Sequence, residues 1–162
     1  MRVYLSGAIE YAPDRGRTWR DAITPWLESQ QCSVYDPARD TRKDLTLEEA
    51  EHFRAWKTAD LPRFQSVVRK IIRYDLDKIE RESDLVLCYW DEHAQRGAGT
   101  QAEVSFAHRL GKAVYLVSPL PTAQISGWIL GCSDQVFQDF AGFKRHIHMQ
   151  MQRAATTAAG ER

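Results

Sequence analysis

The chain has 162 residues, 43% hydrophobic and 27% charged, which suits one globular domain able to bury a core without disulfide or metal staples. Twenty-two basic residues balance twenty-two acidic ones, so no net field draws the protein to a nucleic acid polymer or an anionic membrane, and the expected partner is a small molecule. No apolar stretch reaches membrane-spanning length and the first residues lack the basic and apolar regions of a secretory leader, so the expected location is cytoplasmic.

Val3, Tyr4 and Leu5 read as a first strand that ends at Ser6-Gly7. The loop from Gly7 to Arg17 then leaves the sheet at the edge where ligands gather in α/β folds, which makes Tyr4, Ser6 and Gly7 candidate substrate contacts. Glycine at position 7 fits either a close ligand approach or a plain turn. Asp14, Arg15, Arg17 and Arg20 are either phosphate contacts or ordinary solvated charges. Trp19, Ala22, Ile23, Trp26 and Leu27 recur at helical spacing, with Arg20, Asp21, Glu28 and Gln30 expected outward and a kink expected at Pro25. Residues 32–35 form a second short strand, halted by Asp36-Pro37 because a residue before proline avoids the helical region.

Residues 38–65 are charged and read as an insertion, with Thr46-Leu47-Glu48-Glu49 offering a capping box for a helix to about Lys57. Phe53, Trp56 and Phe64 fit a lid over a ligand, a subunit contact in a homodimer or higher oligomer, or a packed helical excursion. A helix over 64–82 follows, in which Val67, Val68, Ile71, Ile72, Leu76 and Ile79 make an apolar face and Asp75 lies within it. A carboxylate placed among hydrocarbon needs a partner: a functional group, a cap or a loop N–H. Asp77 points outward.

Residues 85–89 and 113–117 are apolar runs suited to strands buried on both faces, with a helical segment between them. Gly97 and Gly99 permit a tight loop, Thr100 is placed to cap the helix, and Val104, Ala107, His108 and Leu110 share a face until Gly111 stops it. Glu103 then sits in the first helical turn, at the mouth of a βαβ crevice. Two readings stand for it: the glutamate of a T-x-x-E capping box with Thr100, or a nucleophilic or acid/base carboxylate. Asp91, just past a strand, is a candidate proton donor or pocket residue.

After Pro119 and Pro121 come a short helix over 122–130, a last strand at Gln135, Val136 and Phe137, and a helix from Asp139 with Phe140, Phe143 and Ile147 on one face. Residues 153–162 are expected to form a flexible tail. His146 and His148 diverge on a helix, and Cys32, Cys88 and Cys132 are odd in number and widely spaced, so reduced core thiols are expected, with no metal and no cofactor.

Several of these stretches together resemble the nucleoside 2-deoxyribosyltransferase superfamily, which includes 2′-deoxynucleoside 5′-monophosphate N-glycosidases. The carriers are Val3-Tyr4-Leu5-Ser6-Gly7, Tyr74-Asp75-Leu76-Asp77-Lys78-Ile79 with Ser83-Asp84-Leu85-Val86, Gly99-Thr100-Gln101-Ala102-Glu103-Val104 with Ala107, and Gly111-Lys112-Ala113-Val114. The likeness spans roughly residues 2–147 apart from the insertion. It implies that Glu103 is the nucleophile, that Asp75 holds the sugar and reacting groups, that Tyr4 lies beside them, and that Gly97, Gly99 and Thr100 line the substrate. Two independent oddities, a buried aspartate and an acid at the crevice, then share one explanation.

The chain departs from that pattern at Gly97, preceded by Arg96, where the transferases tend to carry aspartate and the monophosphate hydrolases serine. The monophosphate hydrolases also place serine and arginine in the first loop, whereas here it reads Ala8-Ile9-Glu10-Tyr11-Ala12-Pro13-Asp14-Arg15-Gly16-Arg17; Arg17 and Arg96 are the candidate phosphate contacts. A weaker likeness, of residues 97–103 to the G-x-G-T-x-x-E loop of cytokinin-activating phosphoribohydrolases, leaves the Tyr74-Asp75-Leu76 stretch unexplained. The expected activity is cleavage of an N-glycosidic bond of a (deoxy)nucleoside or its 5′-monophosphate, by hydrolysis or base transfer. The alternatives are a nucleotide-sensing module of the same fold and an effector glycosidase acting on NAD or nucleotides. The expected fold is a single three-layer, flavodoxin-like or Rossmann-like α/β domain over 1–152, with a five-stranded, largely parallel sheet of order 2-1-3-4-5.

Overall fold

A computed structural model describes the backbone of residues 1–160 and the side chains of residues 1–153. The elements run β1 (Arg2–Gly7), α1 (Arg17–Ser29), β2 (Ser33–Tyr35), α2 (Leu47–Ala59), α3 (Leu61–Glu82), β3 (Leu85–Tyr89), α4 (Glu92–Arg96), α5 (Ala98–Arg109), β4 (Ala113–Val117), α6 (Gly127–Gly131), β5 (Gln135–Phe137) and α7 (Phe140–Gly160). A single 3-10 turn, Thr122–Gln124, precedes α6, so the helix expected over 122–130 is broken in two. The flexible tail expected from residue 153 lies, but for Arg153, outside the residues whose side chains are described.

All five strands are parallel and ordered β2-β1-β3-β4-β5, as the alternation of strands and helices predicts. The chain crosses from β2 past β1 to β3, which puts the topological switch point between β1 and β3. Side chains alternate across each strand, and the sheet separates two cores. On one face Val3, Leu5, Leu85, Leu87, Tyr115 and Val117 meet Ile23 and Leu27 of α1 and Phe143 and Ile147 of α7. On the other, Tyr4, Val86, Cys88, Val114 and Leu116 meet Ile79 of α3, Val104 and Ala107 of α5 and Ile129 of α6. Central strands buried on both sides explain why their sequences are unbroken apolar runs. The three cysteines are free and buried. Among the described residues, no helix is long and apolar enough to cross a membrane.

Four side chains sit elsewhere than their spacing suggests. Arg20 does not face outward: it is wholly buried, and its guanidinium donates to the carbonyls of Gly16 (2.9 Å), Gly7 (3.0 Å), Ala8 and Leu5 while Nε pairs with Asp36 Oδ1 at 3.3 Å. Gly16 makes this possible, since at φ +69° any Cβ would meet Ala8 O and the Arg20 guanidinium at 2.2 Å. On α1 Ala22 is exposed, and on α5 His108 is exposed while Phe106 packs on the core. Ile72 is half exposed because the inner face of α3 narrows to Val67, Asp75 and Ile79. Pro25 falls inside α1, which continues to Ser29.

The insertion is a helical hairpin. Thr46 and Glu49 form the expected capping box at the start of α2, and Asp60 caps α3. Phe53 stacks on Phe64 (6.3 Å), Trp56 lies under the Arg63 guanidinium (3.6 Å), and Lys70 holds Glu49 at 2.7 Å, so α2 is laid along α3. Lys57 also reaches Glu10 in the loop after β1 at 2.6 Å, which keeps α2 on the crevice side of the domain.

Candidate active site

Period-two alternation in β1 sends Tyr4 and Ser6 to the same face of the sheet, toward α5. Their register opposite Val86 and Cys88 sets both at the switch point between β1 and β3. Tyr4 OH donates to Glu103 Oε1 at 2.8 Å and Ser6 Oγ donates to Glu103 Oε2 at 2.6 Å. One hydroxyl on each carboxylate oxygen fixes the plane of the group and leaves further lone pairs free on both oxygens.

The same geometry removes the capping-box reading. Helix α5 begins at Ala98 with Gly97 as its N-cap, and no side chain caps it. Thr100 is therefore inside the first turn, buried, and Glu103 is in the second turn rather than the first. Its carboxylate turns to the sheet instead of back to a cap N–H. Burial pushes the Glu103 carboxyl above the usual range, while the Ser6 and Tyr4 hydroxyls pull it down, Asp75 raises it and Lys43 lowers it. The Tyr4 phenol is pushed well above its ordinary value, by burial first and by the Glu103 charge next, so it stays a proton donor.

Asp75, which the sequence leaves without a partner, has two. Lys43 Nζ donates to Oδ2 at 2.6 Å and Tyr35 OH to Oδ1 at 3.3 Å. Burial still raises the Asp75 carboxyl, against the attraction of Lys43. Tyr35 also reaches Asp40 Oδ2 at 3.2 Å and packs its ring 5.4 Å from that of Tyr4, which ties this cluster to Glu103 through two aromatic side chains. Burial pushes Asp40 up, but bonds from the Lys43 N–H and the Tyr74 and Tyr35 hydroxyls bring it below the usual range. Lys43 escapes sequence reasoning because it lies in a charged stretch without periodicity; the one signal is the partner that Asp75 requires.

The other candidates divide. Gly7 lies opposite Tyr89, and a Cβ there would fall 2.9 Å from the Trp19 ring and 3.2 Å from Tyr89 O, so packing rather than a ligand demands the glycine. Gly99 opens on free space and Gly97 has nothing within 3.7 Å of its Cβ position, which leaves the start of α5 accessible. Asp91 caps α4, accepting from His93 N (3.0 Å) and Ala94 N (2.8 Å), and makes no bond to Glu103 or Asp75. Arg17 is exposed at the first residue of α1, and the Arg96 guanidinium lies 5.3 Å from the Tyr11 ring in the first loop. Arg20 is committed to backbone carbonyls. Among the described residues, no group of three His, Cys, Asp or Glu side chains is arranged to hold a metal ion.

Comparison with solved structures gives the same architecture. The 2-deoxyribosyltransferase of the psychrotolerant bacterium Bacillus psychrosaccharolyticus superposes with a TM-score of 0.61 at 18% identity, over 89% of this chain and 90% of that one. A 2-desoxiribosyltransferase from Leishmania mexicana gives 0.58 at 16% identity, over 91% and 97%. The CMP N-glycosidase BcmB of Clostridium botulinum gives 0.55 at 14% identity, over 93% and 99%. At such identities the likeness shows a shared fold. No family model and no curated protein sequence matches the chain.

Proposed function

We propose that the protein breaks the N-glycosidic bond of a nucleoside or nucleoside 5′-monophosphate, with Glu103 as nucleophile. The observation that carries this reading is the Glu103 carboxylate, withdrawn from any capping role and aimed by two hydroxyls at the switch point of the sheet. The shared fold adds to it, since the three solved proteins are named as deoxyribosyltransferases and a CMP N-glycosidase.

In this mechanism a Glu103 oxygen bonds to the anomeric carbon as the carbon–nitrogen bond breaks, and the base leaves with the bonding pair and takes up a proton. The transition state is oxocarbenium-like. Positive charge gathers on the sugar beside the Glu103 carboxylate, which stabilises it, while Asp75, its charge balanced by Lys43, orients the sugar. Tyr4 and Ser6 hold the nucleophile in line and keep it ionised. In the second step water attacks the same carbon, returning Glu103 and releasing the sugar; a second base in place of water gives transfer.

The test is incubation of the protein with ribo- and deoxyribonucleosides, their 5′-monophosphates and NAD, followed by chromatography for free base. Release that disappears in Glu103→Gln is the expected result. Binding without release from any compound would identify a sensing module instead.

A further inference from the structure

Lys43 is the unexpected member of the site, and the backbone that delivers it is strained. It stands at φ +37° and Asp44 at φ +58°, two consecutive non-glycine residues in the left-handed region. Asp40 stabilises the turn by accepting from the Arg42 and Lys43 amides, and the result is an ammonium carried inward to 8% exposure. There, among the described residues, its one acceptor is Asp75 Oδ2. An ammonium has three N–H donors and a carboxylate about four acceptor positions, so the pair retains donors on Lys43 and acceptors on Asp75, side by side. Tyr35, which donates to Asp75, packs its ring 5.4 Å from that of Tyr4, which donates to Glu103, so the pair stands beside the place that a sugar attached to Glu103 must occupy.

An adjacent donor and acceptor match two adjacent hydroxyls, one accepting from the ammonium and the other donating to the carboxylate. We infer that Lys43 and Asp75 form a subsite for a vicinal cis-diol, and hence that the sugar cleaved is ribose rather than 2-deoxyribose. A phosphate fits this place poorly, because the ammonium is already paired with the Asp75 carboxylate, which repels an anion, and the Asp40 carboxylate accepts from the Lys43 amide close by. The inference rests on the nucleoside-cleaving reading above. A substrate with one hydroxyl would leave a buried N–H of Lys43 without an acceptor, the situation by which enzymes reject analogues lacking a hydroxyl most strongly.

The experiment compares kcat/KM for base release from each ribonucleoside or ribonucleotide and its 2′-deoxy counterpart with the same base. Wild type should prefer ribose at least about 100-fold. In Lys43→Met that preference should fall to within about threefold of unity, chiefly through loss of the ribo substrate, and Lys43→Gln, which keeps a neutral donor, should fall between them. The glutamine variant carries the comparison if the methionine variant does not fold. Base release from both sugars without preference, a preference for deoxyribose, or a ribose preference unchanged in the folded variants would overturn the cis-diol subsite and leave the glycosidase reading standing. Release from neither sugar would overturn the glycosidase reading itself.

Discussion

Tyr4 and Glu103, separated by 99 positions in the chain, are joined by a 2.8 Å hydrogen bond across the β1–α5 boundary. Ser6 repeats the contact on the second carboxylate oxygen, so the strand grips the acid in a two-point clamp. A clamp of two hydroxyls favours the ionised carboxylate, and burial opposes it.

Glu103→Gln should therefore lose at least about a thousandfold in base release while changing stability by no more than about 1 kcal/mol at neutral pH. Glutamine keeps an acceptor for one hydroxyl, and the other can rotate. Thermal unfolding alongside the chromatographic assay separates the two effects; full activity in this variant would remove Glu103 from the chemistry.

Glu103 also sets a pH dependence. Its folded pKa is raised, so the folded state binds the proton more readily than the unfolded chain, and stability falls as pH rises from the ordinary glutamate range through the raised value. Glu103→Gln should be the relatively more stable protein above that window, with the difference vanishing below it. In kcat/KM the acidic limb should follow the same group. Tyr4→Phe removes a bond that favours the charge, so it should move that limb to higher pH and lower the plateau about 10- to 100-fold. A limb that stays in place would mean that another group controls it.

Asp75→Asn strands the buried ammonium of Lys43, whose side chain is only 9% exposed. Breaking such a pair from one side should cost about 2 to 4 kcal/mol, discounted slightly for its position at a crevice edge. The double variant Asp75→Asn with Lys43→Met should recover most of that loss. Urea unfolding of the four proteins of this cycle gives the coupling directly, and additive losses would contradict the pairing.

Arg20→Lys should be costly even though the charge is kept. A lysine has no planar fork with which to reach the carbonyls of Gly7 and Gly16 and also approach Asp36, so a loss of about 3 kcal/mol or more is expected. The loop after β1 should lose hydrogen-exchange protection before the rest of the sheet.

How far the sequence disclosed this depends on which interactions decide each position. Strand order and the two-faced burial of β3 and β4 follow from apolar runs and alternation, which are local signals. Tyr4, Ser6 and Glu103 were legible as crevice residues because switch-point topology brings strand ends and helix starts together. The contacts of Arg20 were not legible: its acceptors are backbone carbonyls, which carry no side-chain signature, and its periodicity on α1 suggests solvent. Thr100 fails as a cap for a related reason, since Gly97 starts the helix earlier and the T-x-x-E spelling cannot tell which residue the backbone makes the N-cap.

The sheet separates two cores, and every group placed in the proposed chemistry borders only one of them. Tyr4, and with it Ser6 and Glu103, stands on the side of Val86, Cys88 and Val104, whereas Val3, Leu5, Ile23, Leu27, Phe143 and Ile147 fill the far side. For anyone engineering the protein, the far core is a region where heat resistance can be raised by repacking while the reacting groups keep their places. Changes at Val86 or Val104 carry no such freedom, because a shift of half an ångström there is felt by the carboxylate itself.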